Sequence, residues 1–132
     1  MAQLTCNLSL DVFESASGVV IKAKKGDAGS RSIRVRLTGC GEEIVIEKKS
    51  VVALFVARGE EIKQFSGKIL DDGTALFTIP LFAVSEAGEV QCEVAVFGTD
   101  GSRLTSASFV IEVQESLAGV TEMEFEEADG VM

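Results

Sequence analysis

Few residues in this chain are equipped for chemistry. Asp71 and Asp72 are adjacent carboxylates, the kind of pair that shares a proton in acid–base catalysis or grips calcium. Asp27 and Arg31 bracket the short loop Gly26-Asp27-Ala28-Gly29-Ser30, where a carboxylate and a guanidinium could hold a ligand or each other. Cys6, Cys40 and Cys92 supply three thiols. The chain has no histidine, so neither a Ser/His/Asp nor a Cys/His machine can be assembled. Metal binding is disfavoured by the same lack and by the absence of any Cys-x-x-Cys spacing.

Structural readings of these residues outweigh the chemical ones. Asp71-Asp72-Gly73-Thr74 separates two apolar runs, and Asp-Gly there is what a type I′ hairpin requires. The 26–30 loop has no Gly-Lys-Ser/Thr ending and no helix after it, so it is not a phosphate loop. Asp27 accepting backbone N–H groups, with Arg31 fixing the loop, makes a structural clamp. Cys6 and Cys92 fall on apolar strand faces and read as two buried thiols. Cys40, in a Gly-Cys-Gly turn, reads as exposed; a Cys6–Cys92 bridge is the alternative. No metal, cofactor or catalytic residue is expected.

The elements that position these residues are strands. Leu4, Cys6, Leu8, Leu10 and Val12 alternate with polar residues, giving a strand with one buried face. Val19-Val20-Ile21 opens a second strand, read as buried on both sides. Ile33, Val35 and Leu37 alternate with Ser32, Arg34 and Arg36. Gly39 and Gly41 flank Cys40 and supply positive φ. Val51-Val52-Ala53-Leu54-Phe55-Val56-Ala57 is the most apolar run, a central strand by its length and β-branching. Gly67 marks a bulge in the next strand. Phe77 and Ile79 point inward before Pro80, the sole proline, ends their strand. One helical or turn-like crossover fits Phe82–Gly88. Val90, Cys92, Val94 and Val96 alternate, a second Asp-Gly hairpin follows at Asp100-Gly101, and Phe109, Ile111 and Val113 close the pattern. Eight to nine short, mostly antiparallel strands with turns every eight to twelve residues indicate an all-β sandwich over 1–114, with a barrel as runner-up. The immunoglobulin likeness is architectural, because the buried Trp of antibody domains is missing.

Composition narrows the partners. The 132 residues fit one domain, and 46% hydrophobic content supplies a core without disulfides. The net charge of −9 is uneven: residues 114–132 carry six acids and no Lys or Arg, and taking those six away leaves −3. Residues 115–132 therefore read as an acidic tail. Leu117, Val120, Met123 and Phe125 form an apolar stripe if the tail becomes helical on assembly. There is no basic excess and no Tyr or Trp, which argues against nucleic acid and against sugars. No run is long enough to span a membrane, and Met1-Ala2-Gln3-Leu4-Thr5 does not begin a secretory signal. Lys22, Lys24, Lys25, Arg31, Arg34 and Arg36 hold six of the twelve basic residues. They read as a solvated sheet face or, through Lys22, Lys24, Arg34 and Arg36, as a docking face for an acidic partner or the chain's own tail.

The run Ile21-Lys22-Ala23-Lys24-Lys25-Gly26-Asp27-Ala28-Gly29-Ser30-Arg31-Ser32-Ile33-Arg34-Val35-Arg36-Leu37 resembles the opening of the N-terminal domain of phage upper baseplate proteins. There, a run of the type K-x-G-D-x-x-S-R leads into an alternating strand. Later landmarks are similar in order: Val51 to Ala57, Ile69-Leu70-Asp71-Asp72-Gly73, Phe77-Thr78-Ile79-Pro80, Gly88 to Val94, Asp100 to Ser106 and Phe109 to Val113. The likeness covers about residues 19 to 113. It implies an immunoglobulin-like sandwich without enzymatic activity that fastens the host-recognition apparatus to the tail tip. Such proteins assemble as oligomers, commonly trimers, with other tail and baseplate proteins, and reside in the virion after assembly in the bacterial cytoplasm. The family protein continues into a long stalk. This sequence ends about twenty residues after the domain, so the resemblance speaks for the attachment domain of a phage or prophage protein. The rival reading is a cell-surface or secreted immunoglobulin-like ligand-binding module.

Overall fold

A computed structural model describes residues 4–117. The predicted acidic tail lies, from residue 118 onward, outside the described residues, and so does most of its apolar stripe.

Eleven strands and one helical turn follow in order: β1 (Leu4–Asp11), β2 (Ala16–Lys24), β3 (Arg31–Gly39), β4 (Glu42–Ile44), β5 (Val51–Arg58), β6 (Glu61–Ser66), β7 (Lys68–Ile69), β8 (Ala75–Thr78), α1 (Leu81–Val84), β9 (Gly88–Phe97), β10 (Arg103–Thr105) and β11 (Ser108–Gln114). They form two separate sheets. The five-stranded sheet runs β1-β3-β8-β7, with β4 added on β3; the six-stranded sheet runs β2-β11-β9-β5-β6, with β10 added on β9. This is an immunoglobulin-like β-sandwich, not a closed barrel.

Alternation explains the core. Leu8 and Leu10 of β1, Ile33, Val35 and Leu37 of β3, and Phe77 of β8 meet Val52, Leu54 and Val56 of β5, Val90, Cys92 and Val94 of β9, and Phe109, Ile111 and Val113 of β11. Burying each such side chain contributes about 1.5–3 kcal/mol. As expected, β5 is interior to its sheet and Phe77 and Ile79 are buried.

Several expectations need correction. Most pairings are antiparallel, as expected; the two parallel ones, β1 on β3 and β2 on β11, arise because the chain crosses to the other sheet between the two partners. Val20 is 51% exposed: β2 is an edge strand and only its inner face is covered. The type I′ turn is not at Asp-Gly. Asp71, Asp72, Thr99 and Asp100 keep negative φ, while Gly73 and Gly101 take positive φ, so both hairpins are three-residue turns closed by a glycine bulge. The left-handed pair is instead Cys40 (φ 51°) and Gly41 (φ 82°), joining β3 to β4, while Gly39 is not left-handed. Gly67 lies between β6 and β7, where the chain changes sheets. A Cβ there would stand 2.3 Å from the Phe77 ring, so close packing, more than a bulge, demands glycine.

Candidate interaction surface

The loop after β2 is tied down on three sides. Lys25 N–H donates to Gln114 O at the end of β11, Gly26 N–H to Val84 O of α1, and Asp27 N–H to Lys24 O. Arg31 Nη2 donates to Asp27 Oδ2 at 3.1 Å, which brings together the two residues of the predicted clamp. Both side chains are partly exposed, so the pair itself is worth about 1 kcal/mol or less. Lys25 also reaches Glu115, at 4.0 Å.

The predicted basic docking face does not exist as one face. Lys22 and Lys24 project from β2 in the six-stranded sheet, while Arg34 and Arg36 project from β3 in the five-stranded sheet, on the other side of the sandwich. Strand alternation placed each residue outward, but their nearness in sequence did not survive the crossing between sheets. The arginines are also engaged within the chain. Arg34 pairs with Asp72 and donates from Nε to Thr74 Oγ1 at 3.1 Å; Arg36 Nε donates to Glu43 Oε2 at 3.0 Å. With Asn7, Ser9 and Thr74 they line a shallow depression of about 200 Å³.

Asp71 and Asp72 point to different cations. Asp72 also caps its own turn, accepting from Thr74 N–H and Thr74 Oγ1–H. Asp71 pairs with Lys48, whose hydrogen bond and charge hold its carboxyl below the ordinary carboxylate range. The pair shares no proton and works as turn chemistry. All three cysteines are free thiols. Cys92 is buried; Cys40 is exposed; Cys6 is exposed too, against expectation, in the uncovered first half of the edge strand β1. Burial pushes the Cys92 thiol up to about 12. Among the described residues no three Cys, Asp or Glu side chains converge as a metal site, and no helix is long and apolar enough to cross a membrane.

The outer face of the six-stranded sheet has a different character, and sequence reasoning did not single it out. Registered neighbours across it are Val51, Phe97 and Arg103; then Ser66, Ala53, Ala95 and Thr105; then Gln64, Phe55 and Glu93; then Ile62, Ala57, Gln91, Val110 and Val20. Valine, phenylalanine, isoleucine and alanine make up most of the rows at both ends of β5, with Arg103 in one and Gln91 in the other. Val20, Val51 and Ile62 are 51%, 61% and 66% exposed. Phe55, Ala57, Glu93 and Arg103 line a depression of about 360 Å³ in its middle. The signal was present in Val51–Ala57, which is apolar in both phases of the alternation; such a strand expects cover on both faces.

No family model matches the chain, and no curated protein matches it. Among solved structures, the N-terminal domain of phage TP901-1 ORF48 matches with a TM-score of 0.66 at 13% identity, over 85% of this chain and 99% of that one. The fibronectin(III)-like modules of Clostridium thermocellum CbhA match at a TM-score of 0.44 and 14% identity, over 82% and 96% of the two chains. The first likeness establishes a shared fold with a phage domain across nearly its whole length. The second is too loose to argue from.

Proposed function

We propose that this chain is a structural component of a phage or prophage tail baseplate, attaching the host-recognition apparatus to the tail tip by protein–protein contacts and catalysing no reaction. One observation carries the reading: a phage N-terminal domain shares the fold over 85% of this chain, and residues 19–113 present the landmarks of phage upper baseplate proteins in the same order. The surface supports it. The candidate acids are consumed in turns and ion pairs, while Val20, Val51 and Ile62 stand exposed on the outer face of the six-stranded sheet, open to contact with other proteins. In this reading its partners are tail and baseplate subunits and its place is the virion.

The test is the protein inventory of purified tails. Tails separated from heads, from a lysogen carrying the gene, should contain the chain in fixed proportion to the tail-tube protein. Its absence from tails whose other subunits are all recovered would refute the assignment.

A further inference from the structure

We propose that the C-terminal segment 121–126 adds as an antiparallel strand to the open edge of β2 in its own chain, with Glu122 beside Lys24 and Glu124 beside Lys22. The pairing rests on the surface and the sequence, and it holds whether or not the chain belongs to a phage tail.

β2 ends the six-stranded sheet, and among the described residues no strand pairs with its outer edge. A parallel ladder uses both backbone groups of every second residue. Lys25 N–H donates to Gln114 O, so Ala23 and Ile21 share that phase and face β11. Val20, Lys22 and Lys24 turn their N–H groups to the open side, and Val20 and Lys22 their C=O groups as well; Lys24 O is taken by Asp27 N–H. Such an edge recruits another strand unless something covers it.

The side chains choose the strand. Lys22 and Lys24 are exposed, and neither enters an ion pair among the described residues. Lys22 lies across from Glu112, whose carboxylate accepts from Gln114 Nε2 at 3.3 Å; Lys24 lies across from the neutral Gln114. The edge strands β1 and β6 have no such row: their outer faces show Thr5, Asn7 and Ser9, and Ile62, Gln64 and Ser66. Read with a period of two, 121–126 presents Thr121, Met123 and Phe125 on one face and Glu122, Glu124 and Glu126 on the other. Glutamates in one row repel one another until a cationic row meets them. With Glu122 opposite Lys24, Met123 stands opposite Ala23 and Phe125 opposite Ile21, both of which turn into the core. The apolar inner face is thus extended by one strand. A slip of one residue would turn the glutamates inward.

The chain is led to this edge. β11 stops at Gln114, level with Lys24, and Glu115 reaches Lys25 at 4.0 Å, on the β2 side. From there the segment must step past β2, two strand spacings or about 10 Å. Residues 115–120 span up to about 20 Å, which leaves room for the reversal that an antiparallel strand needs. A tether this short holds the segment near its own edge at an effective concentration of about a millimolar, which favours the same copy over another.

Hydrogen exchange on the full chain, read residue by residue, tests the pairing. The amides of Val20, Lys22 and Lys24 and those of 121–126 should be protected together, and equally at low and high protein concentration. E122K/E124K should speed exchange of both sets about tenfold or more, as should K22E/K24E, and the fourfold charge swap should restore protection. Phe125→Asp should release the segment with both lysines untouched. β5 and β9, inside the sheet, should keep their protection in every variant, which shows the fold intact. Unprotected 121–126 in the wild type would overturn the proposal. So would protection that the charge reversals leave unchanged, as a helix docked through its apolar stripe would give. Protection that appears only as concentration rises would also overturn it, giving the edge to the segment of a second copy.

Discussion

At the scale of single residues, the polar atoms that matter most are those with no access to water. Ser106 is 5% exposed, at the corner where β10 gives way to β11. Its Oγ accepts from Val94 N–H at 3.0 Å and donates to Ala107 O at 2.8 Å, standing in for a ladder partner. Ser106→Ala should destabilise the fold by about 1–3 kcal/mol, measured by denaturant unfolding, because it strands a buried N–H. Nothing in Thr105-Ser106-Ala107 announces this, since a serine between short strands reads as a turn. The thiols give a second residue-scale expectation. In the folded protein the exposed Cys6 and Cys40 should react with a thiol reagent, while the buried Cys92 reacts only on unfolding. Two slow thiols would mean that the start of β1 is covered. Alternation gave the phase of Cys6 correctly. It could not say that this half of an edge strand is left exposed.

At the scale of elements, the strands were legible and the joints between them were less so. Periodicity located β1, β3, β8, β9 and β11, whose apolar residues alternate into one core, while length and β-branching located β5. Turn chemistry located the hairpins but misassigned their type. Asp-Gly serves a left-handed glycine after an ordinary turn as well as it serves two left-handed residues, and only the loop length decides. At Cys40-Gly41 a non-glycine residue accepts the left-handed conformation, which composition would not suggest. The crossing at Gly67 is the sharpest joint. Its backbone passes so close to the Phe77 ring that Gly67→Ala should cost about 1–3 kcal/mol, and adding Phe77→Leu should recover part of that loss in a double-mutant cycle. Additive costs would show that the ring does not oppose the new methyl group. The Asp27–Arg31 ion pair was legible because its two members are four residues apart. The basic face was not, because its members are close in sequence and sit in different sheets.

At the scale of the whole molecule, one outer face of the sandwich is polar and ion-paired, and the other leaves Val20, Val51 and Ile62 exposed. The fold is shared with the phage TP901-1 ORF48 N-terminal domain. The order of landmarks along the chain carried the family likeness. The sheet topology, including both parallel pairings, lay beyond any local pattern, since it depends on where β2 crosses to the second sheet. The most direct measurement for the baseplate assignment is immunogold labelling of phage particles from a lysogen carrying the gene, using antibody raised against this domain. Gold gathered at the tail tip is the expected result. Particles that take up control antibodies along the tail but carry no gold at the tip, with the domain recovered elsewhere, would contradict the assignment.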